Sequence, residues 1–232
     1  MLIAGFPAGS WATNCYVVAA GPGEPCLIID PGQESIDGVL EIVDEHRLAP
    51  AAVLLTHGHI DHVWSVAPLS SRFEVPALIH ADDRYRLADP AGSSMAGARD
   101  QLLAMTKNSL ELTEPSDVRL LADQQVLELA GIPLTVSHAP GHTEGSVVFT
   151  LDEVMFSGDV LFAGSIGRTD LPGGDHDRMI ESLRRVILPA PDDLVVLPGH
   201  GPQTTIGQER AANPFLRPLQ DEAPVPRNPK GL

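Results

Sequence analysis

Three histidines and an aspartate fall within six positions of the stretch VLLTHGHIDHVW, as His57, His59, Asp61 and His62. Imidazole and carboxylate are the groups that Zn²⁺, iron and manganese accept as ligands without a thiolate. In an H-x-H-x-D-H run, one loop can turn His57 and His59 toward one cation and leave Asp61 and His62 for a neighbour. Each cation is then short of ligands, and the chain supplies more. His142 and His200 each follow a Pro-Gly pair, and Asp159 ends the segment VMFSGD. With these the count closes: His57, His59 and His142 for one ion, Asp61, His62 and His200 for the other. Asp159 and a water or hydroxide are expected between them, since a carboxylate can bridge cations about 3.5–4 Å apart. Such a pair lowers the pKa of its shared water to about 7 and makes hydroxide available at neutral pH.

Each assignment has a structural alternative. Pro-Gly before His142 and His200 is also an ordinary turn, and Asp159 suits a helix N-cap. Asp30, closing CLIID before Pro-Gly, has no place among the ligands; it orients a ligand histidine or caps a turn. His46, His80, His138 and His176 have no partners at ligand spacing and are read as structural. Ser65 and Ser157 are explained as loop residues, so no Ser-His-Asp arrangement is required.

The elements that would carry these residues are short. Strand-length apolar runs fall at 14–20, 26–29, 53–55, 134–136, 147–151, 154–156 and 194–197. Ile36, Val39, Leu40 and Val43 share one face of a helix starting near Glu34; Met179, Ile180, Leu183, Val186 and Ile187 do so in a second. A further helical stretch is expected between Asp82 and Thr113. Five of the apolar runs end in a polar or ionisable residue followed by a turn: CLIID-PG, VLLT-HGH, LTVSHAPGH, VMFSGD and LVVLPGH. In a layered α/β protein functional groups gather at such strand ends, so a shared rim would bring the candidates together.

The bulk numbers restrict the alternatives. A chain of 232 residues with 43% hydrophobic content buries a sizeable core. A formal net charge of −16 leaves no basic surface for phosphates, which argues against nucleic acid as a partner. Cys15 and Cys26 sit in apolar runs as buried thiols rather than as a disulfide framework. The first residues lack a basic, uninterrupted signal segment, and no apolar run reaches bilayer-spanning length. A cytoplasmic protein without a membrane partner is expected, forming a single domain over residues 1–232 with a flexible Pro-rich tail at 221–232.

THGHIDH, APGHTEGS, SGDVLFAGSIGRTD and LPGHG resemble, in order, the successive motifs of the metallo-β-lactamase fold. They are most similar to its glyoxalase II, or hydroxyacylglutathione hydrolase, branch, over about Asn14 to Phe215, and ERAANPFL is similar to that branch too. The resemblance implies an α/β fold, a four-layer αβ/βα sandwich with a binuclear site at one edge of its sheets, and the ligand set given above. It implies two divalent ions, zinc first and iron or manganese as alternatives, with Asp61 and Asp159 as catalytic residues. The implied reaction is hydrolysis of a small thioester of the S-2-hydroxyacylglutathione type. Glyoxalase II proper adds a helical domain that helps hold glutathione, whereas only 32 residues follow His200 here. Its lysine after the bridging aspartate corresponds to Arg168, which would grip an anionic substrate arm or pair with Asp170 or Asp175. The phrase GSIGRTD also resembles persulfide dioxygenases, which hold a single iron, and a non-catalytic metal-binding module is the remaining alternative. A true β-lactamase fits less well, because no cysteine stands at the position of Asp159.

Overall fold

In the computed structural model the described residues are 1–90 and 113–220. The first part of the chain lays down β1 (Leu2–Ala8), β2 (Thr13–Ala19), β3 (Pro25–Ile29), α1 (Ile36–His46) and β4 (Ala49–Leu54). Helices α2 (Ile60–Val63) and α3 (Val66–Phe73) follow, then β5 (Ala77–His80), a 3₁₀ turn (Ala81–Leu87) and β6 (Val118–Leu121). These strands form one sheet in chain order, antiparallel from β1 to β3 and parallel from β3 to β6. The second sheet is built from β7 (Val126–Leu129), β8 (Ile132–His138), β9 (Val147–Leu151), β10 (Val154–Gly158), β13 (Val195–Pro198) and β14 (Thr204–Thr205). A small hairpin, β11 (Leu161–Phe162) with β12 (Ser165–Ile166), interrupts it. Helix α4 (His176–Ser182) runs into a π-helical turn (Leu183–Ile187), and α5 (Ile206–Ala212) and α6 (Arg217–Gln220) close the described chain.

Period-two burial separates the layers. On β2, Cys15, Val17 and Ala19 pack toward α1 and α3, against Val39, Val43, Val66 and Leu69, while Tyr16 and Val18 face the other sheet. On β3, Cys26 and Ile28 take the helix side and Leu27 and Ile29 the inter-sheet side. Leu134, Val136, Phe149 and Phe156 meet them from the second sheet, and Val148, Met155 and Val196 point outward to Met179, Leu183, Ile187 and Ile206. Central strands buried on both faces carry unbroken apolar runs, and that is why the runs were visible in the sequence. The result is helix, sheet, sheet, helix, the expected four-layer αβ/βα sandwich.

Strand direction builds the rim. β3 and β4 are parallel, β10 and β13 are parallel, and two antiparallel steps through β9 return β8 to the direction of β10. The C-terminal ends of these five strands release Asp30, His57, the loop to His142, Asp159 and His200, in that order. An antiparallel bridge between Thr13 and His200 joins the two sheets beside them.

Three sequence expectations change. Of the stretch from Asp82 to Thr113, the part up to Leu87 is 3₁₀ rather than α, and residues 91–112 lie outside the described residues, as does the Pro-rich tail. A 3₁₀ turn eclipses residues three apart, which brings Asp83 and Arg86 to the same side, both buried. The helix from Met179 changes to π geometry at Leu183. Strands β1, β5, β6 and β7 went unread because they are short or interrupted; Gly5 and Pro7 lie within β1, and an edge strand tolerates proline.

Two outcomes test this packing. Phe149 is fully buried between the sheets, and Phe149→Ala is expected to cost about 3–5 kcal/mol in urea unfolding; a cost below about 1 kcal/mol would contradict the placement. Burial pushes the Cys26 thiol up to about 12 and the Cys15 thiol higher still. The native protein is therefore expected to show no thiol reactive toward a disulfide reagent at pH 8, and both to react in denaturant.

Candidate metal centre

Asp30 follows β3 with a left-handed backbone (φ 49°) and is buried. Its Oδ1 accepts the Thr56 amide at 2.8 Å, and its Oδ2 accepts the Thr56 hydroxyl at 2.6 Å. His62 Nδ1 lies 3.0 Å from the same Oδ2. A carboxylate only accepts, so His62 carries its proton on Nδ1. Because the Thr56 hydroxyl donates to Asp30, its oxygen is left to accept from His57 Nδ1 at 3.1 Å. One buried carboxylate thus orients two histidines, one directly and one through a threonine.

The same rule fixes two more rings. His142 Nδ1 donates to the Arg168 carbonyl at 2.8 Å, and His200 Nδ1 to the Trp11 carbonyl at 3.1 Å. This leaves Nε2 of His57 and His142 as a lone pair, while Nε2 of His62 and His200 faces carboxylates and carries a proton there unless a cation takes its place. All four atoms turn toward one another and toward Asp61 and Asp159. His62 Nε2 stands 3.5 Å from Asp61 Oδ2 and 3.4 Å from Asp159 Oδ1; His142 Nε2 stands 3.5 Å from Asp159 Oδ2. His200 Nε2 is 3.1 Å from Asp61 Oδ2 and 3.6 Å from Asp159 Oδ2. His59 presents its other nitrogen, Nδ1, 2.8 Å from His142 Nε2.

The electrostatics follow from that crowding. Burial, reinforced by the neighbouring imidazoles, drives the His57 pKa far down, and burial with His142 lowers that of His59 to about 3. Both are neutral and ligand-ready at pH 7. Burial opposes charge on His62 as well, but Asp61, Asp159 and Asp30 around it outweigh that and raise its pKa. Burial would raise the two carboxylates; His62 and the other imidazoles hold Asp61 and Asp159 low instead.

Among the described residues, His57 Nε2, His59 Nε2, His62 Nε2 and Asp159 Oδ1 are buried without a hydrogen-bond partner. Three of these four point into the cluster, where a buried acceptor without a donor costs about 1–3 kcal/mol. A cation in the cluster would satisfy those three at once, while His59 turns Nδ1 rather than Nε2 toward it. Of the four groupings among the described residues that bring ligand atoms within 4.8 Å of one another, three lie in this cluster: His57 with His59 and His142, His57 with His62 and Asp159, and Asp61 with His62 and His200. The fourth, His80 with Asp82 and His138, stands apart. The donor set, neutral imidazole plus carboxylate without thiolate, suits zinc, iron or manganese. Two glycines let the backbone close on it: a Cβ on Gly199 would stand 2.2 Å from Asp159 Oδ1, and one on Gly167 would meet the Asp159 carbonyl.

All seven residues expected as ligands therefore gather at one rim, and Asp30 stands behind two of them. Asp159 follows β10 and is not a helix N-cap. Arg168 is exposed and forks onto Asp170, both contacts 2.7 Å, while Asp175 caps α4. The carbonyl of Arg168, not its guanidinium, reaches the cluster. His80 and His138 are not without partners: they stack at 3.9 Å beside Asp82, paired across two sheets in a way local spacing could not reveal. Sequence reasoning missed Thr56, Thr13 and the buried pair Asp83–Arg86. Only Thr56 left a signal, as the residue just before His57. It also missed why ERAANPFL matters. Glu209 accepts from Gly164 N and Asn213 Nδ2 at 2.8 Å each, and Asn213 donates to the Ser165 carbonyl at 3.0 Å, tying the β11–β12 hairpin to α5.

A sandwich of two mixed sheets with a His/Asp cation cluster at one rim defines a class of metal-binding folds. The sequence profile of the Metallo-beta-lactamase superfamily matches residues 8–200, and the chain belongs to that superfamily. It is 35% identical over 220 residues to the hydroxyacylglutathione hydrolase GloC of Haemophilus influenzae, covering 90% of this chain and 95% of that one. Among solved structures, the BLEG-1 B3 metallo-beta-lactamase superposes with a TM-score of 0.80 at 36% identity, covering 93% of this chain and 99% of that one. The di-iron-bound form of TTHA1623 gives 0.77 at 35% identity, covering 93% and 100%. No helix among the described residues is long and apolar enough to cross a membrane.

Asp30→Ala tests the orienting network. It strands the Thr56 amide, the Thr56 hydroxyl and His62 Nδ1, and is expected to destabilise the protein by about 2–5 kcal/mol in chemical denaturation. A change below about 1 kcal/mol would show that these donors are satisfied elsewhere.

Proposed function

We propose that this chain is a hydrolase with two divalent metal ions that cleaves small thioesters of the S-2-hydroxyacylglutathione type. The observation that carries the reading is the convergence of four imidazole Nε2 atoms and two carboxylates on one largely buried rim. His57, His59 and His142 would hold one ion, Asp61, His62 and His200 the other, with Asp159 shared. Zinc is the first candidate; the di-iron form of TTHA1623 keeps iron in view.

Bound there, divalent ions supply hydroxide from water at neutral pH and polarise the carbonyl under attack. The chain's own groups do the rest. Asp61 and Asp159 hold the site and accept the hydrogen bond of the attacking water, which fixes its direction; Asp159 Oδ1 has no protein donor to compete for it. Asp30 and the carbonyls of Arg168 and Trp11 keep the imidazoles in the tautomer that leaves Nε2 free. A thiolate needs no strong general acid to leave, since a cysteine-like thiol has a pKa of about 8.5. The Arg168–Asp170 pair is exposed and is worth about 0–1 kcal/mol, so an anionic arm of the substrate can displace Asp170. Similarity to the Haemophilus influenzae hydrolase over nearly the whole of both chains supports this substrate class. A cytoplasmic site of action is part of the proposal.

Metal content and a substrate panel on one preparation test it. About two metal ions per chain are expected, with thiol release from S-D-lactoylglutathione that falls by at least about 100-fold in His59→Ala and Asp159→Ala. One iron per chain with oxygen uptake on glutathione persulfide would overturn it in favour of a dioxygenase. Turnover of a β-lactam alone would move the reading toward BLEG-1, and inertness of fully metallated protein toward a binding module.

A further inference from the structure

Behind the cluster lies a second charge pair that the chemistry above does not use. Asp83 and Arg86 are fully buried side by side on the 3₁₀ turn, Nε to Oδ1 3.3 Å. Asp83 accepts from the Gly58 amide at 2.7 Å, the Thr143 hydroxyl at 2.7 Å and the Gly145 amide at 2.9 Å. Arg86 Nη2 donates to Glu144 Oε2 at 2.9 Å and to the Pro172 carbonyl at 2.8 Å. Gly58 stands between His57 and His59, and Thr143 follows His142. The contact is close on both loops: a Cβ on Gly58 would come within 2.7 Å of the Arg86 side chain, and one on Gly145 within 2.7 Å of the Asp83 side chain.

A buried ion pair is a poor way to stabilise a core, because desolvation offsets most of its attraction. It is an effective way to fix geometry, since every donor around it has one place to go. Here it fastens the HGH loop and the PGHTEG loop to one carboxylate, and those loops carry His57, His59 and His142. Asp61, His62 and His200 are held by other groups, namely Thr13, Asp30 and the Trp11 carbonyl. We propose that Asp83 and Arg86 are positioning residues that set the affinity of the His57–His59–His142 trio for its cation, leaving the other trio largely untouched. This rests on the reading of the trio as a metal site.

Cobalt(II) titration of chelator-stripped full-length protein, followed by visible d–d absorption and calorimetry, tests it. The wild-type chain is expected to take up two ions. Asp83→Asn is expected to weaken one class of site by about 10–100-fold and to leave the other within about threefold. That variant leaves Glu144 as the carboxylate facing the buried guanidinium and can unfold the chain. D83N/R86Q removes both charges at similar volume and carries the same expectation in a folded protein, verified by circular dichroism. Thr143→Val keeps the ion pair and is expected to weaken the same class several-fold, with Thr143→Ser restoring it. Folded variants that bind both ions as tightly as wild type, or that lose both classes equally, would overturn the proposal. A wild-type chain that takes up no cobalt would instead overturn the metal reading beneath it.

Discussion

Four imidazole Nε2 atoms and two carboxylates crowd one largely buried rim, where Asp61 accepts from the Thr13 hydroxyl and His200 Nε2 while Asp159 Oδ1 has no donor among the described residues. A cation among them takes the place of the imidazole protons that otherwise offset the carboxylates, and the arrangement persists only if each ring is held from behind. Carbonyls of Trp11 and Arg168 and the Asp30 carboxylate do that holding, each by accepting an Nδ1 proton. The outer contacts therefore decide the chemistry of the inner atoms. An imidazole free to rotate or to exchange tautomers would present a proton where a lone pair is needed.

The sandwich makes that convergence affordable. Its cores lie between and outside the sheets, so the rim where strands end carries little of the folding energy and is free to be polar. Parallel pairing of β3 with β4 and of β10 with β13 delivers Asp30, His57, Asp159 and His200 to the same side. Glycine lets the backbone close in: Gly199 packs on Asp159 with no room for a side chain.

Much of this was legible in the sequence, for identifiable reasons. Doubly buried strands leave unbroken apolar runs, and metal-type ligands at strand ends stand out because few structural needs place three histidines and an aspartate within six residues. Asp30 was visible as a candidate, though its reach to two rings was not, because Thr56 relays one of them. What stayed hidden depends on pairing between distant segments. Asp83 and Arg86 sit in a stretch whose pattern suggested an ordinary helix, and in the 3₁₀ turn it forms both face inward to loops distant in the chain. His80 and His138 meet across two sheets, 58 positions apart in a chain that gives no local sign of it. Arg168 offered its side chain to the eye, while its backbone carbonyl is the part that touches the cluster.

The most direct measurement is anomalous X-ray diffraction from crystals of the purified protein, collected at the absorption edges of zinc, iron and manganese. Two peaks about 3.5–4 Å apart are expected. One should lie among the ring nitrogens of His57, His59 and His142, and the other among Asp61, His62 and His200, with Asp159 between. A single peak, or a rim that stays empty when crystals are soaked in each metal, would contradict the idea that these side chains are gathered for a pair of cations.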